Sequence, residues 1–533
     1  MKFPTLTLAL IAILGSTLHA QQPCDQLMNL NLPHTSITSA TLVPEGPFSA
    51  SNTFGNLPPV NVPARCVVKA VSRPTGDSEI KLELWLPAAG WNGKYQQAGN
   101  GGWAGAIPTQ SLIEPLRRGY ATAGTDDGHS GALLGASWAI GHHEKLIDFG
   151  YRAVHETGVQ AKAILRAFYG KDPTRSYFVG CSDGGREALM EAQRYPNDFE
   201  GIVAGAPANN WSHLFAGFVW NEQALLNDPA SIVPPAKLPV IQKAVLAACD
   251  AQDGVKDGLI EDPRACHFDP AVLTCKAGDS PECLTTPQVE AVRKIYSGPK
   301  NPRTGAQIFP GYPPGTEAAP GAWSLWITAT QPPAAIQFAF GNSFYADVVY
   351  ENPKWDFRAM NFDKDIAIGD EKGGSILNST SPDLRAFRAR GGKLIQYHGW
   401  GDAAISPLSS IDYYGRVQAF LAKDPGVGTQ DFYRLFMVPG MGHCGGGLGP
   451  NSFGNGDSSG RVDPEHDVVS ALDRWVEKGA APDKIIGTGT VVGEPSRTLT
   501  RPLCPFPQVA HYNGKGDTND ASNFACVAPR KSR

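Results

Sequence analysis

The sequence predicts an α/β fold in which a parallel sheet is interrupted by one long insertion. Short apolar strands alternate with helical patterns from residue 80 to residue 207. From about residue 208 to residue 382 the alternation stops, and the chain is rich in Pro, Trp, Gly and Asp. It returns from residue 383 as strand, helix, strand and helix. Strands separated by helices indicate parallel pairing through right-handed crossovers.

Each element is predicted from its own local pattern. Apolar runs predict strands at 80–86, 95–98, 120–124, 177–179, 201–204, 393–397 and 433–438. Apolar residues at helical spacing predict helices over 154–168, 186–194, 411–422 and 468–476. The insertion shows no such rhythm, and we expect it to cap the sheet. Its aromatic residues would form either a wall of the pocket or the core of the cap: Trp323, Trp326, Phe338, Phe340 and Phe344.

The chain is too long for one compact core, because such cores stop growing at about 250–300 residues and this chain has 533. We expect a signal peptide at 1–20, a catalytic domain built from 21–207 and 383–533, and a lid domain at 208–382. The net charge of -5 gives no reason to expect nucleic acid as a partner.

The N-terminus is typical of an export signal. Lys2 precedes an apolar run at 6–14, and Ala20 is a suitable cleavage position. The run is too short to span a bilayer, and no other stretch of apolar residues is long enough, so we expect no membrane partner. The alternative is a buried N-terminal strand. All ten cysteines follow the predicted signal, which fits a secreted protein, extracellular or periplasmic.

A candidate nucleophile lies between a predicted strand and a predicted helix. Ser182 is the central residue of Gly180-x-Ser182-x-Gly184. In a nucleophile elbow the serine occupies a strained turn, and the glycines let strand and helix pass closely. The alternative is a tight strand-to-helix turn without chemistry. The position after the strand at 177–179 favours the nucleophile.

Two later strands supply the partners that such a serine needs. In the α/β-hydrolase fold the order along the chain is Ser, acid, His. Asp402 and His443 each directly follow a predicted strand, in that order. We expect His443 to accept the serine proton and Asp402 to orient the imidazole. For either residue alone, the alternative is a solvated loop side chain.

Cysteines flank both ends of this arrangement. Cys181 precedes Ser182, and Cys444 follows His443. If the serine and the imidazole are within hydrogen-bond reach, their neighbours come within disulfide range, about 4.4–6.8 Å between α-carbons. Such a link would tie base to nucleophile and stiffen the site.

An oxyanion hole requires main-chain N–H groups that face the developing charge. We expect one from Asp183, which follows the nucleophile. The other is expected from the cluster at 99–102, at Gly101 with Gly102 as the next choice. The alternative for this cluster is a plain glycine turn.

With these motifs the sequence resembles the tannase and feruloyl esterase family. The resemblance rests on Cys181-Ser182, on Asp402 in His-Gly-Trp-Gly-Asp and on His443-Cys444 in Met-Gly-His-Cys-Gly-Gly-Gly, and it runs over nearly the whole mature chain. It implies an α/β-hydrolase fold with a large inserted lid domain, and hydrolysis of aromatic acid esters. It also implies that His398 lines the substrate pocket; the alternative is a histidine that caps a strand end. The implied disulfides are Cys24–Cys66, Cys181–Cys444, Cys249–Cys266, Cys275–Cys283 and Cys504–Cys526.

The lid carries a second signal at 250–259. Three carboxylates and two glycines in a short loop suit a hard cation with oxygen ligands, although the spacing is not that of an EF-hand. The alternative is an acidic, solvated turn. The resemblance implies a structural calcium ion. Its ligands would be the side chains of Asp250, Asp253 and Asp257 and the main-chain carbonyls of Val255 and Leu259.

The sequence thus predicts a secreted serine esterase that hydrolyses esters of hydroxylated aromatic acids through an acyl-enzyme. Its substrate would be a small aromatic ester, free or attached to plant cell-wall polysaccharide. We expect a feruloyl-type acyl group, with gallate or a terephthalate monoester as alternatives and no organic cofactor. Two other classes remain: a secreted serine peptidase on the same fold, and a binding module without activity. The second would normally lack a member of the triad, and none is missing.

Overall fold

The computed structural model describes residues 22–52, 55–56, 58–328, 335–423, 428–456 and 461–529. The predicted signal peptide at 1–20 lies outside the described residues. The strands are β1 (Thr35–Val43), β2 (Gly46–Phe48), β3 (Ser51–Asn52), β4 (Gly55–Asn56), β5 (Val60–Val62), β6 (Arg65–Ser72), β7 (Ile80–Pro87), β8 (Lys94–Ala98), β9 (Ala121–Thr125), β10 (Arg175–Cys181), β11 (Gly201–Gly205), β12 (Lys393–Gly399), β13 (Tyr433–Val438), β14 (Gly449–Ser452), β15 (Ile485–Val491), β16 (Glu494–Leu503), β17 (Val509–Tyr512) and β18 (Phe524–Val527).

The α-helices follow the same chain order. They are α1 (Ile113–Arg117), α2 (His143–Ile147), α3 (Ala153–Tyr169), α4 (Asp183–Arg194), α5 (Trp211–Leu226), α6 (Leu238–Cys249), α7 (Thr286–Ser297), α8 (Trp323–Trp326), α9 (Ile336–Ser343), α10 (Asp365–Gly369), α11 (Ser375–Leu377), α12 (Arg385–Ala389), α13 (Leu408–Leu421) and α14 (Val468–Lys478). Segments of π-helix cover Asp148–Arg152, Phe344–Val349 and Asp370–Gly374. Short 3₁₀ turns, such as Thr109–Leu112, connect the rest.

The central sheet has the strand order β1-β6-β7-β9-β8-β10-β11-β12-β13. The strands from β9 to β13 in this order pair in parallel, whereas β1, β6 and β7 form an antiparallel edge. The sequence pattern located the parallel strands and the helices α3, α4, α13 and α14, and β13 has the predicted bounds. It missed β1 and β6, and the predicted strand β7 pairs antiparallel with both β6 and β9. The sheet is therefore mixed, whereas the sequence predicts a wholly parallel one. All parallel strands end at one edge of the sheet, where βα loops collect.

Each face of the sheet has its own core. On one face β10 and β8 pack against α3 and α4 through residues such as Phe178, Ala188 and Ile164. On the other face α14 packs Leu472 and Trp475 against Tyr177 and the neighbouring strands. Because helices cover both faces of the sheet, β9 and β11 are buried along their whole length.

The inserted segment lies between β11 and β12, where the alternation of the sequence stops. One of its apolar clusters is internal to the lid, apart from Ala403, and includes Leu238, Ile241 and Val292. A second cluster joins lid residues such as Phe215 and Phe340 to Trp103 and Phe149 of the catalytic region. The lid is therefore fixed to the catalytic region by a shared core.

One stretch in the described chain, Pro229–Asp253, is apolar and long enough to be compared with a membrane span. Its regular α-helix is only α6, twelve residues long, or about 18 Å, against a hydrocarbon core of about 30 Å. The apolar residues of α6, among them Leu238, Ile241 and Val245, pack in the internal cluster of the lid. The lid core accounts for its composition.

Glu222 on α5 is a buried carboxyl in the lid, and Asn342 Nδ2 donates to both of its oxygens at 3.0 and 2.9 Å. Burial raises its pKa from 4.5 to about 8, against the opposing hydrogen bond of Asn342. The folded protein therefore holds a proton that the unfolded chain releases above pH 4.5. The carboxyl lowers the free energy of unfolding increasingly as the pH rises from 4.5 to 8.

We predict that Glu222→Gln stabilises the protein by an amount that grows with pH. The gain should be near zero at pH 4.5 and on the order of 2 kcal/mol at pH 8. Denaturant unfolding at both pH values measures it, with the exposed Glu371→Gln as the control. A gain of equal size at both pH values would show that the charge of Glu222 is not its cause.

Candidate active site

Ser182 stands in a sharp turn between β10 and α4. Its backbone is left-handed, with φ 67° and ψ -120°. A Cβ on Gly180 would lie 2.4 Å from the carbonyl oxygen of Gly184, and one on Gly185 would lie 2.2 Å from that of Gly205. Only glycine allows these approaches, so the local sequence forces the strand and the helix together and lifts the serine above the sheet edge.

The three predicted side chains meet at this edge. His443, on the loop after β13, has Nε2 2.9 Å from Ser182 Oγ and Nδ1 2.8 Å from Asp402 Oδ2. With its proton on Nδ1, the imidazole donates to the carboxylate and accepts from the serine hydroxyl. This arrangement can remove the serine proton as the oxygen attacks. The catalytic roles of the three residues remain a prediction.

Asp402 is buried and held in one orientation. The main-chain N–H groups of Ala404 and Ile405 donate to its Oδ1 at 2.8 and 2.9 Å. Burial alone would raise the pKa of this carboxyl, but the electrostatic attraction of the His443 and His398 rings and the hydrogen bonds they donate hold it well below its usual value. Asp402 therefore stays a carboxylate and can stabilise an imidazolium at His443.

His398 does not lie where a pocket residue would. It is fully buried, it does not line the cavity at Ser182, and its Nε2 lies 3.1 Å from both Asp402 Oδ2 and the carbonyl oxygen of Ile405. Because both neighbours are acceptors, Nε2 carries the proton, and Nδ1 accepts from Ser410 Oγ at 2.7 Å. The expectation of a substrate contact is corrected: the residue lies behind the acid and fixes its position.

The cysteines beside the serine and the histidine are joined. Cys181 and Cys444 form a disulfide with α-carbons 5.9 Å apart, and they are separated by 263 positions in the sequence. Cys444 has a left-handed backbone with φ 62°, which is strained for a residue other than glycine. The disulfide thus fixes the loop that carries His443 to the strand that carries Ser182.

The other disulfides are also those that the resemblance implies. They are Cys24–Cys66, Cys249–Cys266, Cys275–Cys283 and Cys504–Cys526. The described chain has no free cysteine. A protein with five disulfides suits an oxidising compartment.

Gly101 and Asp183 both line the cavity beside Ser182. Within the described residues neither of their N–H groups donates to a protein acceptor, so both are available to an oxyanion. The loop is fixed by Asn100: its N–H donates to Glu187 at 3.0 Å, and its carbonyl accepts from the Gly184 N–H at 2.8 Å. The two expected donors are thereby tied to one helix, α4.

Behind the nucleophile lies a buried charged cluster that the sequence did not reveal. The carboxylates of Asp127, Asp183 and Glu187 approach one another within 4.8 Å. Burial raises the pKa of Asp183, and the adjacent guanidinium of Arg186 opposes that rise. Arg186 also donates to the carbonyl oxygens of Gly150 and Phe149 at 2.6 and 3.0 Å. The cluster secures the first turn of α4 below the serine.

A cavity of about 770 Å³ opens above Ser182 and His443. Its walls are largely apolar and aromatic, with Trp211, Phe215, Phe218, Trp326 and Phe340. The ring of Trp326 lies 5.2 Å from the imidazole of His443. Such a cavity suits a flat, apolar acyl group placed next to the serine.

The sequence predicted only part of this wall. It named Trp323, Trp326, Phe338, Phe340 and Phe344 as wall or lid core, and only Trp326 and Phe340 line the cavity. It missed Trp211, Phe215 and Phe218, which come from α5. Their spacing of four and three residues is helical and could have identified one aromatic face at the start of the insertion.

The acidic loop follows α6. Burial raises the pKa of Asp253 to about 6, and the charges of Asp257 and Asp250 add to the rise, so the three carboxylates repel one another. The carbonyl oxygens of Val255 and Leu259 accept no hydrogen bond from the described residues. Arg501 donates to Asp257 at 2.7 Å, so one carboxylate already has a cationic partner. Carboxylate and main-chain carbonyl oxygens are the ligand types that a hard cation prefers, and these five residues offer both.

Comparison with known proteins agrees with this geometry. The family model described as tannase and feruloyl esterase matches residues 66–527. The chain is similar to an esterase of Xanthomonas campestris pv. campestris, with 44% identity over 98% of this chain and 94% of that protein. It is also similar to the mono(2-hydroxyethyl) terephthalate hydrolase of Piscinibacter sakaiensis, with 34% identity over 88% of this chain and 85% of that protein. The crystal structure of feruloyl esterase B from Aspergillus oryzae superposes with a TM-score of 0.85 at 30% identity, covering 95% of this chain and 100% of the other.

We predict that the disulfide at the site is needed for activity. In the double variant Cys181→Ala/Cys444→Ala the strained loop can relax and move the imidazole. Since small misplacements of a reacting group are costly, kcat should fall at least about tenfold. Initial rates at saturating substrate measure kcat of this variant. The matched control is the double variant Cys275→Ala/Cys283→Ala in the lid, which should keep the wild-type rate. Full activity in the first variant would refute the role of the link.

Proposed function

The chain belongs to the tannase and feruloyl esterase family, and from that premise we propose that it is a serine esterase with a preference for hydroxycinnamate esters. It is a carboxylic ester hydrolase that acts on esters of aromatic acids. One observation supports the proposed mechanism above all others. The hydrogen bonds from Asp402 through His443 to Ser182 end at the floor of the aromatic cavity.

In the proposed reaction Ser182 Oγ attacks the ester carbonyl carbon while His443 Nε2 takes the hydroxyl proton. The carbonyl oxygen becomes an oxyanion and accepts hydrogen bonds from the N–H groups of Gly101 and Asp183. The intermediate collapses, and the imidazolium gives its proton to the departing alcohol. Water, activated by the same imidazole, then hydrolyses the acyl-enzyme, which releases the acid and restores the serine.

The cavity supports a hydroxycinnamoyl group over two related acyl groups. Its aromatic walls suit a planar, mostly apolar ring with a short linker. Gallate carries three adjacent hydroxyls and would need more polar partners than Trp211, Phe215, Phe218 and Phe340 offer. A terephthalate monoester carries a free carboxylate. The lining described contains no Lys or Arg to pair with it.

We predict the fastest turnover for methyl ferulate in a side-by-side assay with methyl gallate and a terephthalate monoester. The Ser182→Ala variant should lose at least about a thousandfold in kcat on every ester, because it has no nucleophile. Circular dichroism should show an unchanged fold. Ser409→Ala, a serine on α13 that lies outside the cavity, is the matched control.

If Ser182→Ala were as active as the wild type, the assignment of Ser182 as the nucleophile would be refuted. Fastest turnover of methyl gallate would instead assign a tannase. A serine peptidase would use the same three side chains, so a peptide panel belongs in the assay: cleavage of peptides with aryl esters untouched would favour that class. We also propose that the natural ester is attached to plant cell-wall polysaccharide.

We propose further that the protein is exported and that 1–20 is a cleaved signal peptide. The charge at Lys2, the apolar run at 6–14 and the five disulfides support export.

We also propose that the acidic loop binds calcium through the side chains of Asp250, Asp253 and Asp257 and the carbonyls of Val255 and Leu259. A divalent cation would offset the repulsion among the carboxylates and stiffen the lid.

We predict that a chelator lowers the melting temperature by a few degrees and that Ca²⁺, but not Mg²⁺, restores it. Asp253→Asn should melt at the lower temperature and respond to neither treatment. Asp412→Asn, on an exposed part of α13, should behave like the wild type. Differential scanning calorimetry measures the melting temperatures of the wild type and the two variants. A wild-type protein whose melting is insensitive to both chelator and Ca²⁺ would contradict the calcium site.

A further inference from the structure

The carboxylate of Asp402 accepts hydrogen bonds from two histidines. Its Oδ2 atom lies 2.8 Å from His443 Nδ1 and 3.1 Å from His398 Nε2. The same Nε2 lies 3.1 Å from the carbonyl oxygen of Ile405. Since both of these oxygens can only accept, His398 carries its proton on Nε2, and in a neutral ring Nδ1 is then an acceptor. Because the ring is buried, Nδ1 needs a donor of its own.

A chain of three buried side chains supplies that donor. Ser410 Oγ, on α13, lies 2.7 Å from His398 Nδ1. Gln396 Nε2, on β12, donates to Ser410 Oγ at 2.6 Å, and the hydroxyl of Tyr433, on β13, donates to Gln396 Oε1. All of these side chains are fully buried. Two neighbouring strands and one helix are thus joined by a path of hydrogen bonds that ends at the carboxylate of the triad.

With a neutral His398, the hydrogen bonds of this chain can run in one direction only. Ser410 is the donor that His398 Nδ1 requires, so its oxygen accepts from the next residue, and Gln396 presents its NH₂ group there. The amide oxygen of Gln396 then faces Tyr433. Burial raises the pKa of Tyr433 well above its usual value, so the phenol keeps its proton and donates it. The reverse order would put the amide oxygen on Ser410 and take the donor away from His398.

We propose that Ser410, Gln396 and Tyr433 are positioning residues of the esterase reaction, which act on the triad through the second histidine. They hold His398 as a neutral ring with its N–H group facing Asp402, so that the carboxylate stays charged and turned toward the catalytic imidazole. This inference rests on the proposed function, because it concerns the same triad. The lining described for the aromatic cavity includes none of these side chains, so they act on the rate of the reaction and not on substrate binding.

The test removes the donors one at a time and measures kcat and KM separately. Ser410→Ala takes the donor from His398, and Tyr433→Phe removes the first donor of the chain. His398→Leu removes the N–H group that faces Asp402, and His398→Gln restores an N–H donor there. Ser409→Ala is the matched control: this neighbouring serine on α13 is also buried, and its hydroxyl has no hydrogen-bond partner in the described chain. The substrate is methyl ferulate, unless the wild type turns over another ester faster, and thermal melting checks folding.

We expect kcat to fall about three- to tenfold in Ser410→Ala, as for the loss of one hydrogen bond, and less in Tyr433→Phe, which lies two links farther from the triad. KM should stay within about twofold of the wild type in both variants, because neither residue lines the cavity. His398→Leu should lose the most, and kcat of His398→Gln should be at least about threefold higher than that of His398→Leu. Equal kcat values for Ser410→Ala and Ser409→Ala, or a change confined to KM, would overturn the inference, as would equal kcat values for the two His398 variants.

Labelling with a fluorophosphonate distinguishes a failure of this inference from a failure of the proposed function. The Ser182 oxygen bonds to the phosphorus, fluoride leaves, and His443 takes the hydroxyl proton, so the labelling rate reports on the triad without any ester. Labelling should slow in the same order as kcat falls. A wild type that is not labelled at Ser182 would refute the proposed function, and this inference with it. A labelled wild type, beside a Ser410→Ala variant that is labelled as fast as Ser409→Ala, would overturn this inference alone. If His398→Leu does not fold, Ser410→Ala decides.

Discussion

The hydrogen bond between Ser182 and His443 joins two loops that are 261 residues apart in the chain, and the rest of the site is arranged around it. The serine is held by close glycine contacts between β10 and α4, and the histidine follows the free end of β13 in a glycine-rich loop. The Cys181–Cys444 disulfide and the buried Asp402 remove the remaining freedom of that loop. Covalent and backbone constraints together therefore position this hydrogen bond.

The same constraint explains the polar groups below the site. Asn100 and Glu187 tie the oxyanion loop to α4, and α4 begins at the residue after the nucleophile. The buried cluster around Arg186 secures the first turn of that helix. Nucleophile and oxyanion donors therefore share one rigid support. This is the condition under which fixed dipoles stabilise a developing charge without reorganisation.

Local chemistry in the sequence predicted the parallel strands, the elbow and the order of the triad, because each depends on residues adjacent in the chain. The antiparallel strands β1 and β6 were missed; β1 is the edge strand of the sheet and is half exposed, so its apolar pattern is weak. The position of His398 could not be predicted, because its role depends on Ser410 and Ile405, which approach it only after folding. Asp127 and Glu187 were missed for the same reason: two buried carboxyl groups from different elements meet only in the folded chain, and their spacing in the sequence gives no signature. The aromatic wall was partly predicted, and the residues of α5 could have been found from their helical periodicity.

The cluster shared by the lid and the catalytic region limits how a substrate arrives. Trp103 packs at 5.0 Å from Trp211 and donates to Ser343 Oγ at 3.0 Å, so its indole is enclosed by both parts of the molecule. Lifting the lid as a unit would expose this ring together with Phe149 and Phe215, at a cost of several kcal/mol in apolar surface alone. The cavity opens to solvent beside exposed lining residues such as Ala106, Gln110, Ser111 and Gly131. The shared core keeps the lid from swinging away, so an ester must fit the space between two parts that stay together.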